Sequence, residues 1–327
     1  MHSVGRAIQT RGGFLRRRDL LPLGFSDRSL RDALARGEIF RVRHGWYSVP
    51  GASDRAVQAV RVGGRLTGLS ALESFGIRVP RGRPLHVAVP RNANRLRNPK
   101  NRKVRLKRDG IAVRWVDGQR GRTSWHGISS WRVPLSDALL AVISTESRDV
   151  AVACCSAALN LHLIGARELA SIFERAPKRN RRWMMLVSAL DESHGETRFR
   201  IHFRASGREC TQQVTVDGIG RFDFRVSKHV YVEIDGGQHD PEWDGGSDAS
   251  SSSWEHDLER DAAMAIRGDR VLHFGYKQLR TAWPTILAAI DRAVADDAAL
   301  VDRRRRHPYR PRAAQRKRRR IGAIVPP

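Results

Sequence analysis

Acidic residues are scarce. The 327-residue chain has 34 Asp and Glu against 60 Lys and Arg, a formal net charge of +26. That imbalance points to a polyanionic partner, with nucleic acid first and a membrane surface second. Cysteine is scarce too. Cys154, Cys155 and Cys210 have neither metal-ligand nor disulfide spacing, and read as small buried residues in a reducing cytosol. No apolar run is long enough to span a bilayer, and the opening "MHSVGRAIQTRGG" lacks the apolar core of a signal peptide. The expectation is a bacterial cytoplasmic protein, held on the nucleoid and not on a membrane. Aromatics are only 7% of the chain and form no array on which RNA bases would stack. What is present is 40% apolar residues, enough for two or three cored domains.

The pattern of the chain divides it into four regions, an α/β (α+β) multidomain protein. In residues 1–51, "RRRDLLPLGFSDRSLRDALARGEIFRVRHGWYSVPG" holds a short helix ending at "PLG" and a turn. A second helix follows, capped by Ser26 and stopped at Gly37, and then an alternating hairpin folded at "HG". That is the order of a winged helix-turn-helix. Burying Leu30 and Leu34 exposes Arg28, Arg31 and Asp32 for the major groove, and leaves Arg41, Arg43 and His44 on the hairpin for the DNA backbone. Residues 52–182 mix helices ("LTGLSALESFGI", "PLSDALLAVIS", "VAVACCSAALNLHLI") with strands ("PLHVAVP", "GIAVRWV"), and His162 on the last helix reads as a core histidine. The run "RNANRLRNPKNRKVRLKRDG" is a basic loop that either tracks phosphates or is simply solvated. Residues 301–327, rich in Arg and Pro, read as a disordered polycation.

Residues 183–300 carry the chemistry. "RFDFRVSKHVYVEID" reads as a hairpin centred on Lys228. It pairs Val226 with Val230, Phe224 with Val232 and Phe222 with Ile234 on one apolar face. The other face then pairs Arg225 with Tyr231, Asp223 with Glu233 and Arg221 with Asp235. Two bare carboxylates about 4 Å apart repel by roughly 4 kcal/mol at an effective dielectric near 20. A shared proton, a bound cation or splaying into water would relieve this. A divalent ion held by Asp223 and Glu233 would suit phosphodiester hydrolysis. Ser193 and Glu196 have capping-box spacing, so Glu196 is either a cap or a further ligand. The full order is helix, three antiparallel strands, helix, strand: an αβββαβ core.

Two resemblances are carried by particular residues. Glu233-Ile-Asp235-Gly-Gly-Gln-His239, Asp257-Leu-Glu-Arg260-Asp261 and Gly268-Asp-Arg-Val271-Leu272 resemble the PD-(D/E)xK nuclease superfamily, in its very-short-patch-repair-like branch. The likeness implies a restriction-endonuclease-like core, Asp223 as the leading aspartate, and Mg²⁺ or Mn²⁺ as cofactor. It also implies support from Gln213, Asp257 and Arg260. Asp235 stands where the family has its lysine, and His239 is the group that would orient water in its place. "GFSDRSLRDALARGEIFRVRHGWYSVPG" and, more weakly, "GISSWRVPLSDALLAVI" resemble AbiEi-type antitoxins and transcriptional regulators, which implies DNA and a toxin as partners. Two functions follow: a metal-dependent DNA endonuclease using Asp223, Glu233, Asp235, His239 and Glu196, or a noncatalytic DNA-binding regulator or antitoxin.

Overall fold

The computed structural model describes residues 3–101, 103–107, 110–116, 131–235 and 251–306. Its first unit is three helices on a small sheet. Ser3 caps α1 (Val4–Gln9) by accepting from the Arg6 amide. Then follow β1 (Phe14–Arg16), α2 (Arg17–Leu20), a 3₁₀ turn over Leu21–Leu23 and α3 (Asp27–Ala35). The strands β2 (Phe40–Arg43) and β3 (Trp46–Ser48) close the unit in the sheet order β1-β3-β2. Ser26 caps α3 as expected, accepting from the Ser29 amide at 3.1 Å. The turn before it ends on Gly24 at φ 87°, a backbone region that costs glycine little. α1 and β1 have no signature of their own. β1 is three residues long, and its pairing with β3 makes it a strand.

The two faces of that sheet serve different cores. Leu15 and Tyr47 pack with Val4, Ile8, Leu30 and Ala33 beneath the helices. Phe14 and Val42 on the other face join the apolar core of the following region. Trp131 seals this junction, donating to the Gly12 carbonyl at 2.7 Å with its ring 5.5 Å from Phe14. The apolar core therefore runs straight across residue 51.

That region contains α4 (Asp54–Val62), β4 (Arg65–Leu66), α5 (Gly68–Glu73), β5 (Leu85–Pro90) and β6 (Ile111–Val116). It continues with α6 (Leu135–Thr145), α7 (Arg148–Asn160) and α8 (Ala166–Arg175). The β4 strand is antiparallel to β5, and β5 is parallel to β6. Cys154 and Cys155 are buried in α7. His162 is a correction: it is exposed at φ 53°, just past the end of α7, and belongs to no core. The helix stops at Asn160, two residues short of it.

The last unit follows the expected order. It runs α9 (His194–Ala205), β7 (Thr211–Val216), β8 (Gly220–Ser227), β9 (Val230–Asp235), α10 (Ser251–Arg267) and β10 (Arg270–Gly275). The helices α11 (Tyr276–Thr281) and α12 (Trp283–Arg306) follow. The α12 helix passes through residue 300, so helix continues six residues into the segment expected to be disordered. The sheet order is β10-β9-β8-β7, with β10 parallel to β9. Phe199 and Phe203 of α9, Leu279 of α11 and Ile286 and Ile290 of α12 pack on one face with Phe224, Val232 and Ile234. Met264 of α10 covers the other face with Phe222 and Tyr231.

The hairpin register departs from expectation at both ends. Phe224↔Val232 and Arg225↔Tyr231 pair as predicted. A bulge then puts Ser227, not Val226, opposite Val230, which leaves a two-residue turn at Lys228–His229. At the other end the Asp223 carboxylate accepts the Ile234 amide at 2.8 Å. Its other neighbour, Gln213, sits at φ 50° between the Gln212↔Phe224 and Val214↔Phe222 pairs. The pleat is interrupted on both sides of Asp223. Phe222 therefore packs with Tyr231 (ring centroids 5.4 Å apart), and not with Phe224 and Ile234.

Candidate nucleic-acid interface and carboxylate cleft

In the first unit α3 turns Leu30 and Ala33 inward and leaves Arg28 and Arg31 exposed. Arg31 reaches back to the Asp27 carbonyl, and Asp27 is itself held by Arg17 through two hydrogen bonds of 2.7 and 2.5 Å. The acid of the helix N-terminus is thus paired, and the exposed surface of α3 carries Arg28, Arg31 and Asp32. Arg41 extends from β2 with its guanidinium 5.9 Å from the Tyr47 ring. Arg43 is exposed. Its guanidinium lies near Gly63 at the end of α4.

In the last unit three carboxylates from three elements converge. Glu196, in the first turn of α9, is 4% exposed. Its amide is capped by Ser193 at 3.1 Å, so the capping reading is correct for its backbone. Its side chain does something else: one oxygen accepts the Glu192 amide at 2.9 Å and the Gln213 amide group at 3.0 Å. Burial, and then the negative charge of Asp223, push the Glu196 carboxyl up to about 8. Burial and the neighbouring Glu233 push Asp223 up to about 7. Burial raises Glu233 as well, against the pull of Arg260. Asp223 and Glu233 stand close enough for each to act on the other, and their raised pKa values favour holding a proton over bearing adjacent charges.

The acids also have a cation from the protein itself. Arg260 donates to Glu233 at 2.6 Å and to the Arg221 carbonyl at 2.7 Å, with its guanidinium 4.7 Å from the Phe222 ring. Asp257 holds the same guanidinium at 3.2 Å. Asp235 is a correction. It lies 3.5 Å from His273, while Arg221 pairs with Glu192 at 2.7 Å. The interrupted pleat takes Arg221 away from β9, and parallel pairing with β10 sets Asp235 opposite Gly275, beside His273. His273 also touches Asp261 at 3.0 Å, and the two acids raise its pKa to about 9. This imidazolium next to Glu233 was not legible beforehand, because only the β9–β10 register brings it there. His239 lies outside the described residues.

A divalent ion at Asp223 and Glu233 would have to compete with the hydrogen bonds these carboxylates already make. One oxygen of Asp223 accepts the Ile234 amide, and one oxygen of Glu233 accepts from Arg260. Among the described residues no three His, Cys, Asp or Glu side chains form a set that could hold a metal ion. Nor is any helix among them long and apolar enough to cross a membrane.

Residues 6–50 match a family model described as "Transcriptional regulator, AbiEi antitoxin". The match covers most of α1 and everything from there through β3, and stops short of α4. No curated protein matches the chain.

Proposed function

We propose that the protein is a DNA-binding regulator of antitoxin type, with α3 reading the major groove and the β2–β3 wing on the phosphate backbone. The observation that carries this reading is the winged helix at residues 6–50 with Arg28 and Arg31 exposed on α3. Its net charge suits DNA as partner, and antitoxin action would add a toxin as a second partner. The test is binding to a duplex selected from a random pool, with and without Mg²⁺. Arg28→Ala and Arg31→Ala each lower affinity for the selected site by about five- to 150-fold, corresponding to roughly 1–3 kcal/mol for a base contact, and metal has no effect. Unchanged affinity in both variants would refute the assignment of α3.

A second reading is phosphodiester hydrolysis with Mg²⁺ or Mn²⁺ at Asp223 and Glu233. One observation favours it: Glu196, Asp223 and Glu233 are brought together with raised pKa values. It requires Arg260 to release Glu233. Calorimetric titration with Mg²⁺ separates the readings. Binding by the wild type that disappears in Asp223→Ala supports hydrolysis, and absence of binding leaves the cleft a structural feature.

A further inference from the structure

The crossover between β5 and β6 contains the basic run at residues 91–110, which neither reading above uses. From residue 74 to residue 108 the chain has no Asp or Glu. The run is nonetheless folded. Its Leu106 amide donates to the Leu96 carbonyl at 3.1 Å and its Asn98 amide to the Val104 carbonyl at 3.0 Å, so Arg97 and Arg105 are antiparallel partners. At the tip the Asn98 side chain accepts the Lys100 amide at 2.8 Å, and that of Asn101 accepts the Lys103 amide at 3.0 Å. Leu96 and Leu106 pack on the apolar core, Pro99 is buried, and Trp115 of β6 donates to the Ala93 carbonyl at 3.3 Å. The result is a hairpin-like loop with its two leucines inward and Arg95, Arg97, Lys100, Lys103, Arg105 and Lys107 all exposed. Among the described residues none of these six makes an ion pair. Two arginines directly opposite each other destabilise the pairing that holds them. Core packing and the tip hydrogen bonds keep the shape, and a polyanion laid along the loop would relieve the repulsion.

The loop is also tied to the winged helix. The Pro99 carbonyl accepts from Arg61, in the last turn of α4, at 3.4 Å. Gly63 ends that same helix, and the guanidinium of Arg43 from the wing strand β2 lies near it. The α4 helix packs against β2 over the core that the two regions share. Wing and loop therefore meet at one helix end. We infer that the loop at residues 95–107 is a second nucleic-acid contact, which tracks the phosphates of duplex DNA beside the wing without reading bases. The inference rests on the DNA-binding reading, since continuity with the wing is what favours DNA over an acidic membrane as the partner. A pre-ordered row of cations loses little freedom on meeting a regular polyanion, and each phosphate it neutralises releases counterions.

The test uses the full chain and a labelled mixed-sequence duplex, with affinity measured by anisotropy across a salt series. Losing one phosphate contact lowers the slope of log K against log salt by about one. Arg97→Gln with Arg105→Gln should lower it by about two, with a melting temperature equal to or above that of the wild type because the cross-strand repulsion is gone. Arg97→Lys with Arg105→Lys should keep the slope. Lys100→Gln with Lys103→Gln, which leaves the paired arginines in place, should lower it as well. Preference among sequences stays unchanged in all three. Wild-type slopes in both glutamine pairs overturn the inference and leave the winged-helix reading intact, while failure of the wild-type chain to bind any duplex overturns both. Vesicles of phosphatidylserine and phosphatidylcholine in equal parts form the second arm. If the glutamine pairs weaken vesicle binding and leave the DNA slope unchanged, the loop serves an acidic membrane and the inference falls.

Discussion

Replacing Glu196 by Gln should stabilise the last unit at alkaline pH and flatten its pH dependence. The carboxyl is 4% exposed, with its pKa raised from 4.5 to about 8. An acid with a raised folded pKa keeps its proton in the native state after the unfolded chain has lost it. Its stabilisation is complete below the unfolded value and disappears as pH rises through the folded one. At about 1.4 kcal/mol per pH unit for each excess proton, the loss between pH 5 and 9 is on the order of 4 kcal/mol for Glu196 alone. Asp223, raised to about 7, acts in the same direction. His273, raised to about 9, also loses its contribution as pH rises, whereas Asp149, lowered to about 2, is constant across the window. Glutamine imitates the protonated carboxyl: its oxygen still accepts from Glu192 and Gln213. Amide hydrogen exchange in β8 and β9 isolates this unit from the other cores. The expectation is protection that falls with pH in the wild type and falls less in Glu196→Gln. If protection is level or rises from pH 5 to 9, or if the variant keeps the wild-type slope, the burial argument is wrong.

Two other outcomes follow from neighbouring structure. Arg200, its side chain 2% exposed, donates to Asp191 at 2.6 and 2.9 Å and to the Leu186 carbonyl at 2.6 Å. Arg200→Ala leaves Asp191 buried without its partner charge and should cost about 3–5 kcal/mol in denaturant unfolding, much more than Arg200→Met paired with Asp191→Leu. Ser26→Ala removes the cap of α3 and should lower the stability of the first unit by about 1 kcal/mol, seen as a lower melting temperature, with DNA affinity reduced at temperatures where the helix frays.

Helices and strands with strong local signals were legible. Ser26 and Gly37 bound α3, "PLHVAVP" and "GIAVRWV" became β5 and β6, and the αβββαβ order of the last unit came from alternation and turn residues. The closeness of Asp223 and Glu233 was also legible, since the two lie within a dozen residues on one hairpin. The three-residue β1 carries no period to detect, and α1 hides in a segment read only for what it lacks. His162 fell outside its helix because helix ends depend on caps and packing more than on apolar content.

The sequence alone determined the excess of positive charge, the winged-helix order with its exposed arginines, and two acids facing each other on a hairpin. Those are consequences of composition and of spacing along a few neighbouring residues. Tertiary structure decided what balances the charges. Arg260 reaches Glu233 from α10, His273 from β10, and Glu196 approaches Asp223 from α9. Trp131 meets Gly12 and Phe14 only because the winged helix and the next region share one core. Electrostatic partners are set by distance in space, and no local pattern encodes a distance between residues separated by a whole helix or strand.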